Sequence, residues 1–107
     1  MKQDEDTQLA ELFRLLGEPN RLRLVMACLD GPRTVGELTQ EVGASQSLVS
    51  QHLRLLRAGR LLKQSRAGRH VRYELPDCHV RSMLTGMVDH MREPDEHISD
   101  DPLEENE

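Results

Sequence analysis

A winged helix-turn-helix is the fold class this sequence predicts, mainly α with a small β-hairpin and in the order α-α-α-α-β-β-α. Three observations carry that expectation. Four apolar stretches with helical spacing lie between Gln8 and Gly59, separated by breaks that contain Gly or Pro. A stretch with alternating character and a basic, Gly-containing turn follows from Leu61 to Leu75. A last helical stretch then places Val80, Leu84, Met87 and Met91 at steps of three or four.

The first helix is expected over Gln8–Leu16, with Leu9, Leu12, Phe13 and Leu16 on one face. Gly17-Glu18-Pro19 stops it, and Pro19 suits the start of a second helix running to about Asp30. Leu22, Val25, Met26 and Leu29 are its expected inward residues, and Gly31-Pro32 ends it. Thr34-x-x-Glu37 is a capping-box pattern that opens a short third helix through Val42, closed by Gly43. Ser45 caps a fourth helix to about Ala58, ended by Gly59. Leu61–Ser65 and His70–Leu75 read as two strands around Arg66-Ala67-Gly68-Arg69. Pro76 breaks the hairpin, and Asp77 is placed to cap the last helix, which ends near Pro94. Residues 1–7 are expected to be a flexible N-terminus, 8–93 the folded domain, and 94–107 an acidic, disordered tail.

Only 36% of the 107 residues are hydrophobic, with one Phe, one Tyr and no Trp. An aliphatic core that small makes dimerisation through the terminal helices a source of further burial. No apolar run reaches the 18 or so residues of a membrane span. The acidic N-terminus has no apolar signal region, so a cytoplasmic location is expected. Cys28 and Cys78 do not form a secreted-type framework and are expected as reduced thiols.

The net charge of −5 hides a segregation. From Val42 to Tyr73 there is no acid but seven basic residues: Arg54, Arg57, Arg60, Lys63, Arg66, Arg69 and Arg72. From Glu93 onward there are eight acids and no Lys or Arg. The basic block suits a polyanion such as DNA; the alternative is an ordinary solvated basic face. On the fourth helix Ser47, Ser50, Gln51 and Arg54 recur on one face, opposite Val49, Leu53 and Leu56. Gln pairs with adenine and Arg with guanine in a major groove, so this face has reading chemistry. Ser45 and Gln46, at the helix N-terminus, are placed for phosphate. Arg66 and Arg69 at the hairpin tip, with His70 and Arg72 beside them, suit phosphates or the minor groove. His52 adjoins the apolar side and is expected to pack or touch phosphate rather than ligate a metal.

The last helix carries Asp77-x-His79 at its start and His90-x-x-Glu93 at its end, four side chains that can bind a metal. His79 and His90 are separated by roughly 16 Å along a helix axis, whereas zinc ligands sit about 2 Å from the ion. The two pairs of one chain therefore cannot share an ion. Two copies packed antiparallel can, and the site then occurs twice per dimer.

The stretch from Leu12 to about Glu93 resembles the bacterial ArsR/SmtB metal-sensing repressors. The matching residues are Leu16-Gly17-Glu18-Pro19-Asn20-Arg21-Leu22-Arg23, Val35-Gly36-Glu37-Leu38 and Ser45-Gln46-Ser47-x-Val49-Ser50-x-His52-Leu53-x-x-Leu56. Gly59-Arg60-Leu61-Leu62, Gly68-Arg69 and Tyr73-x-Leu75 follow in the expected order. The resemblance implies a homodimeric repressor that binds palindromic operator DNA and is released by zinc, with cobalt or nickel as alternative ions. It implies Asp77 and His79 from one subunit and His90 and Glu93 from the other as ligands. It also implies that metal-bound His90 couples to the backbone near Arg60, at the end of the reading helix. The cysteine-rich site of some family members has no counterpart in Glu37–Val42. His97 is a candidate additional ligand for nickel. The alternative function is a winged-helix repressor that senses thiol oxidation through Cys28 and Cys78. An enzyme is not expected: four protein ligands leave no open position on a zinc ion, and no nucleophile elbow or phosphate loop is present.

Overall fold

The computed structural model describes residues 1–94. Beyond Pro94, the expected disordered tail lies outside the described residues. The order is α1 (Gln3–Leu16), α2 (Pro19–Ala27), β1 (Arg33–Thr34), α3 (Val35–Val42), α4 (Gln46–Ala58), β2 (Lys63–Ala67), β3 (His70–Glu74) and α5 (Cys78–Arg92). This is the expected winged helix-turn-helix, with one small strand added.

α1 begins at Gln3 rather than Gln8, so most of the stretch expected to be flexible is helical. Asp4, Glu5 and Asp6 occupy its first turn, where acids favour the positive end of the helix dipole. Glu5 also accepts a hydrogen bond from the Lys2 backbone N–H at 3.1 Å. The apolar period that located this helix starts only at Leu9, because the first turns face solvent. Its expected inward face splits: Leu15 and Leu16 are buried and Leu12 is half-buried, but Leu9 and Phe13 are exposed.

Glu18 caps α2 by accepting from the Arg21 N–H at 2.9 Å, and Pro19 supplies the fixed φ of the first helical position. Leu24, Val25 and Cys28 fill the inner face; Leu22, expected inward, lies on the surface. The helix ends at Ala27, short of Asp30, and the Arg33 Nε donates to the Ala27 carbonyl at 3.0 Å.

Thr34 is both the last residue of β1 and the N-cap of α3. Its hydroxyl accepts from the Glu37 N–H at 3.2 Å, while the Glu37 carboxylate accepts from the Thr34 N–H at 2.9 Å. Gly43 ends α3 in the left-handed conformation at φ 74°, and Ser45 caps α4. Val49, Leu53 and Leu56 of α4 are fully buried against Leu24, Leu38 and Leu62.

The end of α4 differs from expectation. Gly59 has φ −84°, which any residue tolerates, and the left-handed residue is Arg60 at φ 59°. Glycine at 59 answers a packing demand instead: a Cβ there would lie 2.5 Å from Leu15 Cδ1. Leu61 and Leu62 are buried before β2 starts.

The sheet is antiparallel in the order β1-β3-β2. Arg33 pairs with Tyr73 and Thr34 with Arg72; across the hairpin, Lys63 pairs with Glu74 and Ala67 with His70. The turn is therefore Gly68-Arg69 alone, with Gly68 at φ 63°, and Arg66 belongs to a strand. Asp77 caps α5 as expected, its carboxylate accepting from the N–H groups of His79 and Val80 at 3.0 and 3.2 Å. α5 buries only Leu84, with Val80 and Met83 half-buried; Met87 and Met91 are exposed. The Arg81 guanidinium donates to the Leu29 carbonyl and ties α5 to the turn after α2.

Gly59→Ala is expected to destabilise the fold by about 1–3 kcal/mol through overpacking against Leu15, read as a lowered denaturation midpoint at unchanged slope. The Thr34 N–H bond holds the Glu37 carboxyl below its ordinary 4.5. Its stabilising contribution is present above pH 4.5 and is lost as pH falls through the lowered folded value. Glu37→Gln is expected to flatten the acid limb of a melting-temperature profile by lowering the plateau above pH 4.5, leaving the acid end nearly unchanged.

Candidate functional site

α4 offers the reading face that its spacing implies. Gln46, Ser47, Gln51 and Arg54 are exposed and Ser50 is half-buried. Ser45 already accepts the Leu48 N–H at 3.1 Å, so its hydroxyl serves the cap first. On the wing, Arg66, Arg69 and His70 are exposed, while Arg72 in the central strand is half-buried. His52 is buried, with Nε2 3.8 Å from a Glu18 carboxylate oxygen and Nδ1 without a hydrogen-bond partner. It is a packing histidine.

Most of the arginines fall into two sets. Arg14 is chelated by Glu11 at 2.6 and 2.8 Å. Arg21, Arg33 and Arg81 donate to the carbonyls of Leu15, Ala27 and Leu29, where helices end. Arg54, Arg57, Arg60, Arg66 and Arg69 make no hydrogen bond or ion pair among the described residues, leaving their donors available. Arg54, Arg57, Arg60 and Lys63 line one open groove of about 690 Å³ between the end of α4 and the base of β2. Arg57 and Lys63 were not singled out from the sequence; the acid-free run around them was the available signal.

The two candidate ligand pairs sit at opposite ends of α5. His79 Nδ1 lies 3.4 Å from Asp77 Oδ2, and His90 Nδ1 lies 3.8 Å from Glu93 Oε1. All four side chains are exposed. The Val80 N–H, followed by the His79 side chain and amide, holds the Asp77 carboxyl below its ordinary range, which keeps it an anionic donor. Among the described residues no three metal-ligating side chains converge. The two pairs stay apart on one chain, as the length of α5 requires. His97 lies outside the described residues.

A cavity of about 840 Å³ runs between α1, the end of α4 and the start of α5. Asp77, His79 and Arg60 line it, together with Glu11 and Leu12. Arg60 thus borders both the basic groove and the cavity that carries one ligand pair. The cysteines sit in unlike places. Cys28 is buried, its thiol donating to the Tyr73 carbonyl at 3.5 Å, and Cys78 is exposed on α5. No helix among the described residues is long and apolar enough to cross a membrane.

Comparison with known proteins agrees with this architecture. The family of bacterial regulatory proteins named for arsR matches residues 18–64, the span from the cap of α2 into the wing. A transcriptional repressor SmtB homolog of Synechocystis sp. is 41% identical over 95 residues, covering 89% of this chain and 72% of that protein. The cadmium metal-sensor CmtR of Mycobacterium tuberculosis, solved by NMR, is 40% identical with a TM-score of 0.66, over 74% of this chain and 82% of that one. Reduced HlyU from Vibrio cholerae superimposes with a TM-score of 0.75 at 26% identity, over 85% of this chain and 96% of that one. With its helix-turn-helix, its wing and these relatives, the chain belongs to the ArsR/SmtB family of transcriptional regulators, which are not enzymes.

Proposed function

We propose that this regulator is a metal-responsive repressor that works as a homodimer, with one ion at each of two intersubunit sites. Ion binding releases it from a palindromic operator. The observation that carries the reading is the symmetric placement of two half-sites on one helix. Asp77 and Glu93 lie eight residues either side of Thr85, and His79 and His90 lie six before and five after it. An antiparallel pair of α5 helices crossing near Thr85 brings Asp77 and His79 of one copy to His90 and Glu93 of the other, twice. Gly86 stands beside that crossing, and its would-be Cβ meets nothing within 4 Å, so two backbones have room to approach.

The exposed apolar side chains supply the association. Leu9 and Phe13 on α1 and Met87 and Met91 on α5 are unpartnered among the described residues. Fully covering such a side chain is worth about 1.5–3 kcal/mol. These side chains are already partly covered, so eight of them across a dimer contribute on the order of 10 kcal/mol, comparable with the roughly 4–15 kcal/mol lost on association.

The donors fit a cation: two imidazole nitrogens and two carboxylates, with no thiolate. This set suits tetrahedral zinc and also accepts cobalt or nickel, so zinc is the proposed ion. The 40%-identical cadmium sensor supports ion sensing as the class of function. When bound, the ion clamps the two copies in one relative orientation. A ligating histidine uses its second ring nitrogen for an outer contact. Because Arg60 lines the cavity that holds Asp77 and His79, His90 of a second copy arriving there meets the backbone at the end of α4. That contact fixes the spacing of the two reading heads at a value DNA fits poorly. Ser47, Ser50, Gln51 and Arg54 read bases in this account, while Ser45, Gln46, Arg66 and Arg69 hold phosphate. The coupling is reciprocal, so operator DNA weakens ion affinity by the same factor.

Thiol oxidation is the competing input. Burial pushes the Cys28 thiol up to about 11, which leaves little thiolate at neutral pH. Cys28 is buried, Cys78 is exposed, and both are free thiols.

The deciding experiment is a salt-controlled DNA-binding titration with and without zinc, cobalt and nickel; unchanged affinity with every ion would sink the proposal. Asp77→Asn separates ligand from cap, because Asn caps a helix as well as Asp does. It is expected to keep the thermal midpoint and to lose more cobalt affinity than the roughly 10–100-fold typical of outer-shell changes, read by ligand-field absorption. Alkylation at pH 8 is expected to label Cys78 and to reach Cys28 only on unfolding; equal labelling in the native protein would revive the thiol reading.

A further inference from the structure

The groove at the end of α4 gathers features that are unfavourable in an isolated chain. Arg54 and Arg57 are like charges three residues apart on one helix, and Arg60 and Lys63 bring two more into the same space. Lys63 Nζ lies 3.8 Å from a carboxylate oxygen of Glu74 across the hairpin. Arg60 adds a left-handed backbone, at φ 59°, where glycine would sit without penalty. Like charges, available guanidinium donors and backbone strain coincide in one place, a combination that fits an anionic occupant.

Continuity identifies the anion. The reading stripe Ser47, Ser50/Gln51, Arg54 advances by the helical step onto Arg57 and Ala58, which line this groove. A duplex lying on that stripe presents its sugar-phosphate backbone to the groove next. We infer that the groove takes DNA phosphodiester backbone flanking the bases that α4 reads, with Arg57 and Lys63 as phosphate contacts beyond Arg54. This deepens the DNA-binding reading above and rests on it. The contact adds affinity and fixes register without reading sequence, since phosphates carry no base information. Arg60 and Pro76 border both this groove and the cavity of Asp77 and His79, so the phosphate contact lies beside the proposed ion site.

The test uses the full chain, a duplex of random sequence and anisotropy titrations over a series of salt concentrations. Arg57→Ala combined with Lys63→Ala is expected to shallow the dependence of log K on log salt by about 1.8, at about 0.9 per phosphate contact. Both side chains are exposed, and a circular-dichroism melt confirms that the double variant folds. Gln51→Ala is expected to leave the slope intact. Arg23→Ala, which removes a charge on α2 outside the groove, is expected to do the same. An unchanged slope in the double variant overturns the groove while leaving DNA binding in place. An equal change in Arg23→Ala overturns it too, by tracing the effect to net charge. A rise in affinity in the double variant overturns it in favour of the acidic segment 95–107 as the occupant. Failure of the unaltered protein to bind any duplex at low salt instead removes the DNA reading itself.

Discussion

A helix of 15 residues that fully buries one side chain is held only lightly by its own chain. α5 is about 22 Å long, and isolated helices of this length are marginal in water. Leu84 and the Arg81–Leu29 bond anchor its first half, while Met87 and Met91, further along the same stripe, remain exposed. The same holds for α1, which buries only Leu15 and Leu16. A chain with so little apolar material leaves its two terminal helices half-satisfied. The proposed dimer and the proposed ion both draw on that deficit, because the lightly held helix is also the one that carries the candidate ligand pairs.

The fold was legible because its signals are local. Thr34 and Glu37 announce α3, Ser45 announces α4 and Asp77 announces α5, each by a hydrogen bond formed within three residues. What the sequence hid depends on distant contacts. Leu22 and Leu24 fit a helical stripe equally well until the position of α4 selects Leu24. Gly59 looks like a helix terminator, yet the left-handed turn falls on Arg60, and only the neighbouring Leu15 explains the glycine. β1 is two residues long, too short to show an alternating pattern. The candidate ligands were visible as pairs, and the separation of those pairs followed from helix rise alone.

The arginines show most sharply where composition stops being informative. By count they form one basic population. In the structure Arg21, Arg33 and Arg81 close helix ends, using guanidinium forks to satisfy carbonyls that no amide reaches. Arg54, Arg57 and Arg60, a few residues apart on and just after one helix, keep their donors available. The second set has its donors to offer a polyanion. The net charge of −5 is compatible with DNA binding for this reason: the acids, too, are largely placed elsewhere.

Thr34 ends a strand and begins a helix with no residue between. β1 is paired to the central strand of the wing at Arg33–Tyr73 and Thr34–Arg72. The first helix of the helix-turn-helix is therefore bolted to the sheet that carries the wing. Reading helix and wing are joined into one head through this strand pairing. A signal arriving at α5 has little freedom to reshape this head. Under the proposed mechanism it acts by tilting one whole head relative to the other, so the regulated quantity is a distance between two unchanged surfaces.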